Sequence, residues 1–323
     1  MEKGFFEDDA AEGEFWNNVN DEIKQFNGTV SNTMYFMSRF IELNTKYVLN
    51  ATDTKPSSFQ LQTWPNSVKE SNLTNILNNR TLSDFGKAIV NPDSTTEQKE
   101  HTLYYYKGVV KLFQELSTLF KDDIYKKYKN LGITIELYIV STGFAELVRG
   151  TELAQYTSDI YGCECVEKKY ETFTFYSDLQ YVMENESKVQ ALASISKGVG
   201  VIEGMDVNAK SKDGNYRIPY ENMLYVGDGP SDIPAYAYMN DKGGHTLAVY
   251  SETNKNLALN TDDETPFQKA YKLHENGWAD SFAPADYTKG SSAYLTIKQT
   301  ILDIAERISQ ETQSNIVKNK VSY

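Results

Sequence analysis

A chain of 323 residues, 40% hydrophobic and 13% aromatic, can bury a sizeable core and does not have the composition of a disordered protein. A net charge of −13 repels phosphate backbones and anionic membranes, which argues against nucleic acid or a lipid surface as partner. It leaves room for a small phosphorylated ligand, because a local cation can invert the sign of one site.

The N-terminus, "MEKGFFEDDAAEGEFW", is acidic and lacks the apolar segment of a signal peptide. No run approaches the roughly 18 apolar residues of a membrane span, so the expectation is a soluble, cytoplasmic chain. From Phe15 to about Leu49 apolar residues recur at helical spacing: Phe15, Val19, Ile23, Phe26, then Met34, Met37, Phe40 and Ile41. Residues 50–100 are rich in Asn, Ser and Thr and broken at Pro56, Pro65 and Pro92. Residues 1–100 read as an N-terminal segment of short helices and loops, and residues 101–323 as a second region.

In that second region a helical pattern carries Val109, Val110, Leu112, Phe113, Leu116, Leu119 and Phe120, with a stop at "NLG". Ile133–Val140 is β-rich and apolar, as a buried strand would be, and runs into Ser141-Thr142-Gly143. "FAELVRGTELAQY" then reads as helix, "TFTFYS" (172–177) as strand and "SKVQALASISKG" (187–198) as an amphipathic helix ending at Gly198. Strands are expected at 222–229, 245–250 and 279–284, with a helix opening at "SDIPAYAYMN" and a last helix carrying Leu295, Ile297, Ile301, Ile304 and Ile308 before a fraying polar tail. Alternating strands and helices predict an α/β domain with a mainly parallel sheet, whose ligands sit beyond the C-terminal ends of the strands. Cys163 and Cys165, one residue apart, suit reduced thiols better than a strained bridge.

Two strand ends carry chemistry. In "YVGDGPSD" the carboxylates Asp228 and Asp232 flank a turn between strand and helix, where oxygen ligands suit Mg²⁺ and a phosphate can share its coordination. The plainer reading is a helix N-cap turn. Ser141, Thr142 and Gly143 could hold a phosphoryl oxygen through hydroxyl and amide groups, or could cap the following helix. Lys188, after "ENES", is either solvated or a cation that neutralises a phosphoryl group and its partner carboxylate. His101, His245 and His274 are scattered and have no recognisable partners.

In that order, "YIVSTGF", Lys188 and "YVGDGPSD" resemble the second, third and fourth motifs of the haloacid dehalogenase (HAD) superfamily of phosphohydrolases, in a branch like the phosphoserine phosphatases. The resemblance covers about residues 104–308 and implies a HAD-like, Rossmann-type core with an N-terminal helical cap over residues 15–98. It further implies a Mg²⁺-dependent hydrolase of a small phosphorylated metabolite, working through an aspartyl-phosphate. By motif, Ser141, Thr142 and Gly143 would bind the phosphoryl group, and Lys188 would screen charge, with Lys197 as the second choice. Asp228 would hold Mg²⁺, and Asp232 would bind the metal or orient its ligands.

The family's first motif, an apolar strand ending in Asp-x-Asp-x-Thr/Val that supplies the nucleophile, has no match. The nearest acids, Glu7, Asp8 and Asp9, lack its spacing and read as an acidic tail. Two explanations stay open: a stretch missing ahead of Met1, favoured by position, or a degenerate member that binds a phosphorylated ligand or protein partner without turnover. Substrate and oligomeric state are not legible.

Overall fold

The computed structural model describes residues 105–170, 173–209, 216–252 and 264–321. The expected cap, the acids Glu7, Asp8 and Asp9, and every other expectation for residues 1–104 lie outside the described residues. In chain order the elements are α1 (Val109–Thr118), α2 (Lys126–Asn130), β1 (Tyr138–Phe144), α3 (Ala145–Arg149), β2 (Asp159–Tyr170), β3 (Phe173–Tyr181) and α4 (Ser187–Lys197). Then come β4 (Leu224–Gly227), α5 (Ile233–Asp241), β5 (His245–Tyr250), α6 (Pro266–Glu275), β6 (Ser281–Pro284) and α7 (Ser292–Val321). They fall into two compact units, one containing Tyr138–Glu184 and one made of Tyr106–Leu137 with Asn185–Tyr323.

The first unit carries a three-stranded sheet in the order β1-β2-β3, with β1 and β2 parallel and β2 and β3 antiparallel. Val140 pairs with Tyr161 and Phe144 with Cys163, so Ser141, Thr142 and Gly143 lie opposite Gly162 alone and form a bulge. Helix α3 packs Ala145 and Val148 onto Ile160, and Arg149 ties it to Glu164 of β2 through two hydrogen bonds.

The second unit is built on a parallel sheet, β4-β5-β6, with β5 in the middle. Alternation along β5 sends Leu247 and Val249 into one cluster and Ala248 into another. The first cluster gathers Leu112 and Leu116 of α1, Phe120, Tyr128, and Tyr294 and Ile297 of α7. The second gathers Leu192 of α4, Ala235, Tyr236 and Met239 of α5, and Ala270 and Leu273 of α6. Both faces of the sheet are therefore covered by helices, which is why β5 is apolar almost throughout. Among the described residues no helix is long and apolar enough to cross a membrane.

The expected α/β class with parallel strands and flanking helices is present. Strand β5 and helix α4 coincide with their expected spans, and α4 stops at Gly198, which takes φ 79° as its left-handed cap. Three local expectations shift. The strand expected at 133–140 begins instead at Tyr138, while Ile133, Ile135 and Leu137 pack against the core of the second unit. The helix after Phe144 is only five residues long and gives way to a 3₁₀ segment, Glu152–Tyr156. Helix α7 runs on through the polar tail to Val321.

Gly108 marks the tightest backbone crossing. It has φ 78°, and a Cβ there would lie 2.4 Å from the Thr288 amide nitrogen and 2.5 Å from the Tyr287 carbonyl carbon. Backbone cannot move aside as a flexible side chain would. Gly108→Ala is expected to destabilise the chain by about 2 kcal/mol or more, read as a lower midpoint in urea denaturation with an unchanged slope.

Candidate functional site

Strand β4 leaves the sheet at Gly227, and the next residues turn sharply. Gly229 is extended, Pro230–Asp232 make one 3₁₀ turn, and α5 begins at Ile233 with a proline in its first turn. The turn folds the Asp232 carboxyl back against the strand end. A Cβ on residue 227 would sit 2.6 Å from the Asp232 Cγ and 2.8 Å from the Tyr236 hydroxyl, so only glycine fits.

Asp232 is 3% exposed and its carboxylate is fully engaged. Oδ1 accepts from Lys188 Nζ at 2.6 Å and from the Tyr225 hydroxyl at 2.5 Å. Oδ2 accepts from the backbone amides of Asp228 at 3.0 Å and Gly229 at 3.3 Å. Lys188, in the first turn of α4, is 5% exposed, so it is a buried cation and not the solvated one of the plainer reading. Its ammonium also reaches the Ser231 hydroxyl at 3.4 Å. A buried ion pair repays its desolvation only when its remaining donors and acceptors are bonded, and here those of the carboxylate are.

Asp228 differs from its neighbour. It is exposed, and among the described residues no other residue hydrogen-bonds its carboxylate. Its pKa is raised, through the protein packed around the turn and then the charge on Asp232, with Lys188 opposing. Tyr225 is pushed far above the usual phenol range by burial and by Asp232, and so stays a proton donor to that carboxylate.

Lys188, Asp228 and Asp232 are therefore brought together, across 44 residues of sequence between the lysine and Asp232. Lys197 is occupied elsewhere: its ammonium donates to the carbonyls of Val207 at 2.5 Å and Ala209 at 2.9 Å, clamping a loop. Ser141, Thr142 and Gly143 belong to the first unit. There the Ser141 hydroxyl accepts from the Gly143 amide at 3.0 Å, and the Thr142 carbonyl accepts from the Cys163 thiol at 3.2 Å. Tyr225 escaped the sequence reading; the one signal available was a tyrosine inside "YVGD", at the inward position two before the glycine.

Among the described residues no group of three or more His, Cys, Asp or Glu side chains could hold a metal ion. The open oxygens of the turn are those of Asp228. One carboxylate fits Mg²⁺, which keeps several waters and commonly completes its shell with substrate phosphate. With its four hydrogen bonds, Asp232 holds the Asp228 and Gly229 amides in place.

No family model matches the chain, and no solved structure matches it. An uncharacterized protein of Borreliella burgdorferi is 30% identical over 213 residues, which span 62% of this chain and 67% of that protein. The chain belongs to the same family as that protein.

Removing the ammonium would leave a buried carboxylate facing Tyr225 and two amides. Lys188→Met is expected to cost about 3–5 kcal/mol of stability, and Tyr225→Phe about 1.5–3 kcal/mol, as for one hydrogen bond to a charged group. Denaturant unfolding of the two variants beside the parent would check the order of the effects.

Proposed function

We propose that this member of the family shared with the Borreliella burgdorferi protein is a Mg²⁺-dependent phosphohydrolase of the HAD type, acting on a small phosphorylated metabolite. The observation that supports it most is the Lys188–Asp232 contact. The resemblance named these two residues as parts of one site from sequence order alone, and they are buried together at the end of a parallel strand beside the open carboxylate of Asp228.

The charges suit a phosphate. Asp228 and Asp232 contribute two negative charges and Lys188 one positive, so the turn alone would repel an anion. Mg²⁺, when bound at Asp228, would polarise a phosphoryl oxygen and offset the charge between carboxylate and phosphate. The protein's own part is positional. Asp232 fixes the Asp228 and Gly229 amides, Lys188 neutralises Asp232, and Tyr225 keeps its proton on the same oxygen as the lysine. Such preset dipoles and charges act without reorganising during the reaction.

In this reading neither aspartate is the nucleophile, since Asp228 holds the cation and the oxygens of Asp232 are bonded. An aspartyl-phosphate would form on another acid, and Glu7, Asp8 and Asp9 are the candidates in the sequence. A reducing, cytoplasmic setting suits the two free thiols, Cys163 and Cys165.

The test is hydrolysis of an aryl phosphate with and without Mg²⁺, by the parent chain and by Asp228→Asn. Metal-dependent turnover reduced at least about 100-fold in the variant is expected, the size of effect that follows loss of a main electrostatic contact. No turnover in either, with phosphate binding lost only in the variant, would identify a binding protein instead of an enzyme. Turnover or phosphate binding that ignores the substitution would overturn the assignment of Asp228.

A further inference from the structure

Strands β4 and β6 both run parallel to β5, so the chain leaves all three at the same end of the sheet. Beyond β4 that end carries Asp228. Beyond β6 it carries Ala285, whose amide continues the ladder by donating to the Tyr250 carbonyl at 2.8 Å, and then Asp286-Tyr287-Thr288.

This second segment is held rigidly. The Asp286 carboxylate accepts from the Thr288 amide at 2.8 Å and from its hydroxyl at 2.5 Å, and pairs with Lys107 at 3.8 Å. The Tyr287 amide donates to the Lys107 carbonyl at 2.8 Å, and Gly108 lies flat against the backbone of Tyr287 and Thr288. The Tyr287 ring packs into the cluster of Leu112, Phe120 and Leu247, with the Tyr106 ring 6.4 Å away. Its side chain has almost no freedom to choose a partner.

Yet its hydroxyl has none. Tyr287 is 9% exposed, and among the described residues no donor or acceptor meets its oxygen. The other buried tyrosines all bond through theirs: Tyr105 to the Glu152 amide, Tyr128 to Glu306, Tyr220 to Tyr238, Tyr225 to Asp232, Tyr236 to the Leu247 carbonyl and Tyr294 to Glu115. A buried hydroxyl without a partner carries a desolvation cost that phenylalanine would not, so packing alone does not account for a tyrosine here.

We propose that the Tyr287 hydroxyl is a ligand-binding group of the Asp228 site, donating a hydrogen bond to an oxygen of the phosphate held there. This rests on the functional reading of Asp228, Asp232 and Lys188 given above. The phenol lies within the field of the Asp228 carboxylate: burial raises its pKa first, Tyr106 next and the Asp228 charge after that. It is therefore a neutral O–H at any physiological pH, able to donate to an anion without adding charge. The Lys188 charge is already paired with Asp232, so a neutral donor at this end of the sheet adds a contact to the anion beyond what the ion pair supplies.

The experiment is calorimetric titration of inorganic phosphate, with MgCl₂ present, into the full chain, Tyr287→Phe and Asp228→Asn, beside thermal melts of each. The expected result is phosphate binding at least about tenfold weaker in Tyr287→Phe, the scale of one hydrogen bond to a charged group, with a melting temperature equal to or above that of the parent. Equal affinity in parent and Tyr287→Phe, with Asp228→Asn impaired, would overturn the role of Tyr287 and leave the functional reading standing. A lowered melting temperature in Tyr287→Phe would mean that the hydroxyl serves the fold, and would also overturn it. A parent chain that takes up no phosphate would overturn the functional reading, and this inference with it.

Discussion

The contact between Lys188 and Asp232 is the constraint around which the second unit's site is arranged. Taking an ammonium and a carboxylate out of water costs several kcal/mol for each ion, and their attraction recovers that only with good geometry and with the other bonding positions filled. Both requirements shape the surrounding sequence. The chain must turn back within five residues of β4, so Gly227 cannot carry a side chain. Two amides must face the carboxylate, and those of Asp228 and Gly229 do. The remaining acceptor position draws in a tyrosine from the strand itself. The pair also fastens the start of α4 to the start of α5, two helices on one face of the sheet.

How far the fold was legible depended on whether local pattern and tertiary demand agreed. In β5 they did: a central parallel strand covered on both faces is mostly apolar, and "LAVY" after His245 and Thr246 says so directly. In α4 they agreed as well, because Gly198 closes the helix with a left-handed residue. They disagreed at residues 133–140, where the alternating Ile133, Ile135 and Leu137 look like a strand but serve the core of the second unit, and the paired strand starts at Tyr138. Strand β2 passed unread. Its "DIYGCECVEKKY" mixes acids, lysines and a glycine, and its pairing comes from neighbours on both sides rather than from its own hydropathy.

The site divides in the same way. Asp228, Asp232 and Lys188 were legible because charged groups at strand and helix ends form a recognisable order along the chain. What no residue order reveals is burial and occupancy: that Lys188 is inside, that Asp232 has no free oxygen while Asp228 does, and that Lys197 is committed to two carbonyls. With 23 tyrosines in the chain, nothing in the letter distinguishes Tyr225 or Tyr287 from the rest. Their partners, or the lack of one, appear only when the sheet brings the strand ends together at one end. Ser141-Thr142-Gly143 was placed at the end of a strand and is instead a bulge within it, because β1 resumes pairing at Phe144.

The second unit draws α1 and α2 from before the 138–184 unit and α7 from the end of the described chain. Lys127 and Tyr128 meet Glu306, and Glu115 meets Tyr294 and Lys298, pairs separated by 178 to 183 residues. At a ribosomal pace of about 5–20 residues per second, α1 and α2 leave the exit tunnel on the order of ten seconds or more before the helix that covers them has been made. Their apolar faces, with Leu112, Leu116 and Phe120, must wait in that interval. Contacts this distant along the chain also slow the search for the native arrangement. The nascent chain is thus exposed to chaperones and to self-association for the whole time that its first core-forming helices lack their last partner.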